Sequence, residues 1–249
     1  MGTSSVAIVT GAASGIGAQV CWALADRGLT VVVTDRDEAG GADLAAQLAA
    51  AGHGVEFAPL DVTDPRAHEA LVDGVVAHHG RLDVAVNNAG VSGRVAPTGE
   101  YTVAEWREVL SIDLDGAFYG IRAQLPPMVE QGAGRIVTMA SILGQVGFAG
   151  LPAYAAAKHG VVGLTKQVAQ EYADAGIRAN AVGPGFVDTP LLARPELPAE
   201  AVGLLEQLHP VGRLGTAEEV AGVVAWLCTD APDFLTGAYL PVDGGYLSR

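Results

Sequence analysis

Ser141, Tyr154 and Lys158 are the residues of this chain whose types and spacing best suit chemistry; they lie in the stretch SILGQVGFAGLPAYAAAKHG. Tyr154 and Lys158 are four residues apart, so on a helix they share one face, a turn from each other. Ser141 lies thirteen residues before Tyr154, just past the apolar run 136–140, which reads as a buried strand. A free tyrosine, with a pKa of about 10, is a poor base at neutral pH. An ammonium beneath the ring favours the phenolate and is expected to lower that value. A hydroxyl at a strand end would then hold a substrate oxygen while the phenol takes or gives its proton. Tyr-x-x-x-Lys also occurs on ordinary surface helices, with the Tyr beside a solvated Lys. The spacing therefore gains meaning from the elements that position it.

Those elements alternate. Strand-like runs are expected at 6–10, 30–34, 55–59, 84–86, 135–140, 178–182 and 238–242. Helical patterns fall at 15–28, 38–51, 65–79, 104–131, 152–175 and 216–228. Strand–helix alternation implies an α/β fold: one doubly wound (Rossmann) parallel seven-stranded sheet with helices on both faces. Right-handed crossovers place the loops after the strands along one edge, where ligands bind. The region 188–210 breaks the alternation with Pro190, Pro195, Pro198 and Pro210 and Leu-rich helical turns, and reads as a substrate lid. With no linker, repeat or low-complexity segment, residues 1–249 read as one domain.

Composition narrows the class. Half of the 249 residues are hydrophobic, few are aromatic, and 33 are glycine, which suits helices packed closely on a parallel sheet. The net charge of −14 argues against nucleic acid and anionic membranes as partners. Cys21 and Cys228 show no CxxC or metal-ligand spacing, so no metal and a reduced, cytoplasmic setting are expected. The N-terminus enters a strand without a basic region or a long apolar stretch, unlike a signal peptide.

Each remaining motif follows an expected strand. Gly11, Ser14, Gly15, Ile16 and Gly17 belong to TGAASGIG, between the first strand and first helix. Glycines there let the backbone approach a pyrophosphate, and the helix start supplies free N–H groups and a positive dipole end. Asp35 ends the second strand, where a carboxylate accepts hydrogen bonds from a ribose 2′-hydroxyl and repels a 2′-phosphate. Arg36 complicates this, because a guanidinium clamps phosphate or stacks on adenine. With no basic residue in the glycine turn, NAD is expected over NADP. Asp61 and Val62 are placed at the adenine edge; Asn88, Ala89 and Gly90 offer small residues and an amide beside the ligand. Pro184, Gly185 and Val187 are expected to present backbone groups to a carboxamide, with Thr189 on phosphate. Any one of these segments is compatible with an ordinary turn.

Taken in order, TGAASGIG, Asp35, DV at 61–62, NNAG at 87–90, Ser141, Tyr154-x-x-x-Lys158, IRANAVGPG at 177–185 and VDGG at 242–245 resemble the short-chain dehydrogenase/reductase family over essentially the full chain. The resemblance implies Tyr154 as general acid/base, Lys158 lowering its pKa and holding the nicotinamide ribose, and Ser141 orienting the substrate oxygen. It also implies a homotetramer built through the long helices and the C-terminal strand, for which Val161–Leu164 and Tyr239–Val242 offer apolar surface. One position departs from the family: Asp113, in Ile112-Asp113-Leu114-Asp115-Gly116, stands where relatives carry an Asn that helps link the Lys to solvent. Asp113 is either part of an altered proton relay or a buried acid bonded to nearby backbone; activity is expected to persist.

Leu143, Val146, Phe148, Phe186 and Leu191, with Ser141, are the expected substrate contacts. Such a pocket suits a small hydrophobic secondary alcohol or ketone. An alternative within the family is an NADPH-dependent 3-oxoacyl-carrier-protein reductase. Gly132 and Ala175 are neutral where an acidic carrier would meet basic residues, and Asp35 also counts against it. An alternative of another class is a non-catalytic NAD-binding regulator, which would be expected to have lost Tyr154 or Lys158.

Overall fold

The seven apolar runs pair as seven parallel strands: β1 (Val6–Thr10), β2 (Thr30–Asp35), β3 (Val55–Pro59), β4 (Val84–Asn87), β5 (Gly134–Met139), β6 (Ile177–Pro184) and β7 (Tyr239–Val242). Their order in the sheet is β3-β2-β1-β4-β5-β6-β7. The computed structural model describes residues 4–192 and 199–248. Alternate strand residues point to opposite faces, and both faces are apolar. Val9, Val33, Val86 and Val137 face α1 (Gly15–Ala25), α2 (Glu38–Ala50) and α8 (Ala217–Thr229). Ile8, Val32, Ala85 and Ile136 face α3 (Pro65–His79), α5 (Gly116–Gln131) and α6 (Pro152–Tyr172). Each Val, Leu or Ile fully buried this way contributes about 1.5–3 kcal/mol relative to exposure.

The expected strands and helices recur within a few residues, with two exceptions. The helix expected over 104–131 is two, α4 (Val103–Leu110) and α5, joined by the π-helical segment Ser111–Asp115. Such wide turns arise where an extra residue is accommodated, frequently beside a functional site. Within the lid region the described residues include α7 (Ala199–Gln207). The part of the expected lid at 193–198, with Pro195 and Pro198, lies outside the described residues.

Where β1 and β4 pair, the strand order reverses and the loops after them part, opening a crevice at the strand ends. A side-chain clasp holds this point. The buried Thr10 Oγ1 accepts from the N–H of Asn88 at 3.0 Å and of Ala89 at 3.1 Å. The Asn88 amide donates back to the carbonyls of Thr10 and Gly11 at 3.0 and 2.9 Å.

Replacing Thr10 with Val keeps the shape and removes the acceptor. Thr10→Val is expected to lower unfolding stability by about 1–3 kcal/mol. This would be read as a fall in the urea midpoint at unchanged slope. A midpoint equal to that of the wild type would show that the clasp contributes nothing.

Candidate active site

The cleft at the crevice encloses about 230 Å³. The glycine turn forms one wall. Gly11 has φ +62°, and a Cβ there would lie 2.7 Å from the Ala89 Cα, so only glycine lets the turn approach β4 this closely. Gly15, with φ +56°, opens α1 beside Thr189. The α2, α3, α4 and α8 N-termini are capped by the side chains of Asp37, Asp64, Thr102 and Thr216. Like α5 and α6, α1 has no side-chain cap and no acidic residue in its first turn, and its Ser14, Gly15 and Ile16 line the cleft. Uncapped N–H groups at a helix start opening on a crevice fit an anionic diphosphate.

The part of the cleft beyond β2 and β3 is lined by Asp35, Arg36, Leu60, Asp61 and Val62. The Asp35 carboxylate accepts from the N–H groups of Ala13 and Asp37, each at 2.9 Å, which fixes it at the end of β2. Asp61 accepts from the Thr63 N–H and hydroxyl, which hold its carboxyl below the ordinary range. Asn88, Ala89, Gly90, Thr189 and Leu191 also line the cleft. Gly17 does not: a Cβ there would meet the Gly11 carbonyl at 2.2 Å, so it serves close packing of α1 on the turn. Val187 packs into the core and Pro184 is buried in β6, while Gly185 sits against His209. None of these three lines the cleft.

Tyr154 and Lys158, from the first two turns of α6, line the inner end of the cleft. The Lys158 Nζ lies 5.3 Å from the Tyr154 ring centroid and donates to the Met139 carbonyl at 3.0 Å. It also lies 3.1 Å from Asp113 Oδ2, forming a buried ion pair. Asp113 Oδ1 accepts from the Val91 N–H at 2.8 Å. The Asp113 side chain has no exposed surface and Lys158 is 3% exposed. Gly90 makes room for the pair, because a Cβ there would lie 3.0 Å from Asp113 Oδ2 and 3.3 Å from Lys158 Nζ. Ser141 caps a short helical turn, Ile142–Gly144, its Oγ accepting from the Leu143 N–H at 3.2 Å. Its carbonyl accepts from the Tyr239 hydroxyl at 2.9 Å.

The electrostatics differ from expectation at one point. Burial pushes the Tyr154 phenol above its ordinary value. Lys158 and the Ser141 hydroxyl pull it down, as anticipated, but burial outweighs them and the Asp113 carboxylate adds to the rise. Burial also opposes charge on Lys158, yet Asp113 and Tyr154 hold its ammonium above the ordinary range. Burial raises Asp113 in turn, while Lys158 and the Val91 N–H act against it.

The expected substrate side divides. Leu143 is buried in the short turn after β5, which packs on α6, so it supports Ser141 and does not face the cleft. Val146 is half-buried. Phe148 and Phe186 meet edge to face at 5.4 Å, and Phe186 meets Tyr246 at 6.0 Å. Sequence reasoning overlooked His209 and Tyr246, which complete this aromatic group. His209 Nε2 accepts from the Phe186 N–H at 3.2 Å, so Nδ1 carries the proton and donates to the Leu205 carbonyl at 2.9 Å. No spacing in the chain signals this contact. Thr10 and Tyr239 were missed as well, since their work is to hold other site residues in place.

Comparisons with known proteins find similarity over nearly the whole chain. A family model described as enoyl-(acyl carrier protein) reductase matches residues 11–247. The chain is 48% identical over 241 residues to a cis-4-hydroxycyclohexanecarboxylate dehydrogenase of Sinomonas cyclohexanicum, covering 97% of this chain and 96% of the relative. It is 42% identical to a cyclohexanol dehydrogenase of Acinetobacter sp. (strain SE19), covering 99% and 96%. Among solved structures, a gluconate 5-dehydrogenase from Burkholderia cenocepacia J2315 in complex with NADP and tartrate superposes with a TM-score of 0.94 at 33% identity, covering 98% and 96%. A glycine turn, an acid at the end of β2 and a Tyr–Lys pair on one cleft thus coincide with full-length similarity to dehydrogenases. The chain belongs to the short-chain dehydrogenase/reductase family, as an alcohol dehydrogenase/ketone reductase acting on CH–OH with NAD(P).

Proposed function

We propose that the protein interconverts a small, apolar, ring-borne secondary alcohol and its ketone, with NAD preferred over NADP and Tyr154 as general acid/base. The observation that carries this reading is a single cleft: the uncapped glycine turn, Asp35 and the Tyr154–Lys158 pair all line it. The dinucleotide, when bound, supplies the hydride acceptor for oxidation and the donor for reduction.

Gly11, Ser14, Gly15, Ile16 and Thr189 would hold its diphosphate, and Asp35 its adenine ribose. In oxidation Ser141 holds the substrate hydroxyl and Tyr154 Oη takes its proton; in reduction Tyr154 returns a proton to the carbonyl oxygen. Lys158, braced by Met139 and Asp113, keeps a cation beneath the phenol. Phe186, with Phe148 and Tyr246 whose rings pack on it, would supply the apolar wall of the substrate site. Two relatives named for cyclohexane-ring alcohols support the substrate class. A neighbour of the same fold was solved with NADP, so the preference for NAD rests on Asp35 in this chain.

The same proposal includes a homotetramer. Phe118 and Val129 on α5 and Trp106 on α4 leave apolar surface exposed. Val161 and Val162 are buried within their own chain and drop out of the expected interface, whereas Leu164 is half-buried beside Phe118 in a shallow groove.

Tyr154→Phe is expected to lower kcat/KM for cyclohexanol oxidation by about 10²- to 10⁴-fold while the variant stays folded. Activity near that of the wild type would sink the catalytic assignment. Asp35→Ala is expected to shift the ratio of kcat/KM for NAD over NADP toward NADP by at least about tenfold, equivalent to about 1.4 kcal/mol. An unchanged ratio would remove Asp35 as the selector. Gel filtration across a concentration series should show a tetramer, and a clean monomer would refute that assembly.

A further inference from the structure

Asp113 is the least expected member of the site. Its carboxylate lies on the π-helical segment between α4 and α5, fully buried, with one oxygen on the Val91 N–H and the other 3.1 Å from the Lys158 ammonium. Neither charge is cheap to bury alone, and removing one partner leaves the other uncompensated. Gly90 clears the space in which they meet. The ammonium is 5.3 Å from the Tyr154 ring centroid and 3.1 Å from Asp113 Oδ2, so it is the shared neighbour of the carboxylate and the ring. Lys158 therefore faces Tyr154 as half of a neutral pair.

We propose that Asp113 is a resident counter-ion for Lys158, a positioning residue that keeps Tyr154 in its proton-donating form and moves alcohol oxidation to alkaline pH. This rests on the reading of Tyr154 as the acid/base. The groups facing Tyr154 are Lys158 from its own helix, Asp113 from the π-helical segment and the Ser141 hydroxyl from the end of β5. Tyr239 from β7 stands nearby, its own phenol pushed up by burial and therefore neutral. Of these groups Asp113 brings the negative charge; burial is the main cause of the raised Tyr154 phenol, and the carboxylate acts in the same direction.

The proton balance sets the direction. Oxidation converts alcohol and NAD⁺ to ketone, NADH and H⁺, and Tyr154 takes that proton, so the free enzyme must hold a phenolate. Reduction consumes the proton, and the free enzyme must hold a phenol. A carboxylate behind Lys158 favours the phenol. Oxidation then begins at higher pH, and reduction persists to higher pH, with the overall equilibrium unchanged.

The test compares wild type, Asp113→Asn and Tyr154→Phe over a pH series with cyclohexanol and cyclohexanone, each variant checked by circular dichroism. In D113N the acid limb of kcat/KM for oxidation should move down by about one pH unit, and the alkaline limb for reduction should move with it. Without cofactor, ultraviolet titration of the phenolates should contain one step that Tyr154→Phe removes and that D113N moves to lower pH. Superimposable profiles and titrations in a folded D113N overturn the proposal. If D113N does not fold, Asp113→Ser serves in its place, and failure of both to fold also overturns it, since Asp113 would then be structural. Full activity in Tyr154→Phe refutes the acid/base reading itself, and that outcome is distinct from an unmoved D113N profile.

Discussion

Parallel pairing of β1 with β4 forces the chain to reverse its order in the sheet, and the loops after these two strands part to opposite faces. Every cleft-lining segment depends on that parting. The glycine turn leaves β1 and the Asn88–Gly90 segment leaves β4, and they are close enough that a Cβ on Gly11 would strike Ala89. Such an approach brings backbone N–H groups and carbonyls into a partly buried place, where each needs a partner. Thr10 and Asn88 supply those partners by bonding across the gap. The first-turn N–H groups of α1 are thereby left free of side-chain partners and open to the cleft.

The second constraint is electrostatic. A buried lysine beside a buried tyrosine is useful for proton transfer and costly to assemble, because burial penalises every charged form. Four contacts make it tenable. Met139 offers a carbonyl, Asp113 a carboxylate, Val91 an N–H to that carboxylate, and Gly90 the space for the pair. They come from β5, the π-helical segment and the segment after β4, so the charge on α6 is secured by three separate parts of the fold. Removing a wider turn to restore a continuous helix from α4 to α5 would change the position from which Asp113 reaches Lys158.

Much of this was legible from local pattern. Strand boundaries were readable because parallel strands here are short apolar runs, most of them ended by Gly, Pro, Asp or Asn. The glycine turn, Asp35, Asn88 and the Tyr154–Lys158 spacing were readable because each depends on residues a few positions apart. The π-helical segment was not, since apolar periodicity runs through 104–131 without a Pro or Gly break at 111–115. Leu143 was misplaced because an apolar residue after a strand packs inward or faces a ligand with the same local signature. Here it packs in a buried turn against α6.

By itself the sequence determined the α/β alternation, the order of the strand-end motifs and the helix face shared by Tyr154 and Lys158, all of which follow from short-range periodicity and turn chemistry. Tertiary structure alone decided what surrounds those residues. Asp113 and Lys158 are distant in the chain, and so are His209 and Phe186, or Tyr239 and Ser141. The Tyr154 phenol illustrates the difference. Spacing foretold the cation that lowers its pKa, but burial and the Asp113 carboxylate, which raise it, arise only once packing excludes water and brings distant charges together.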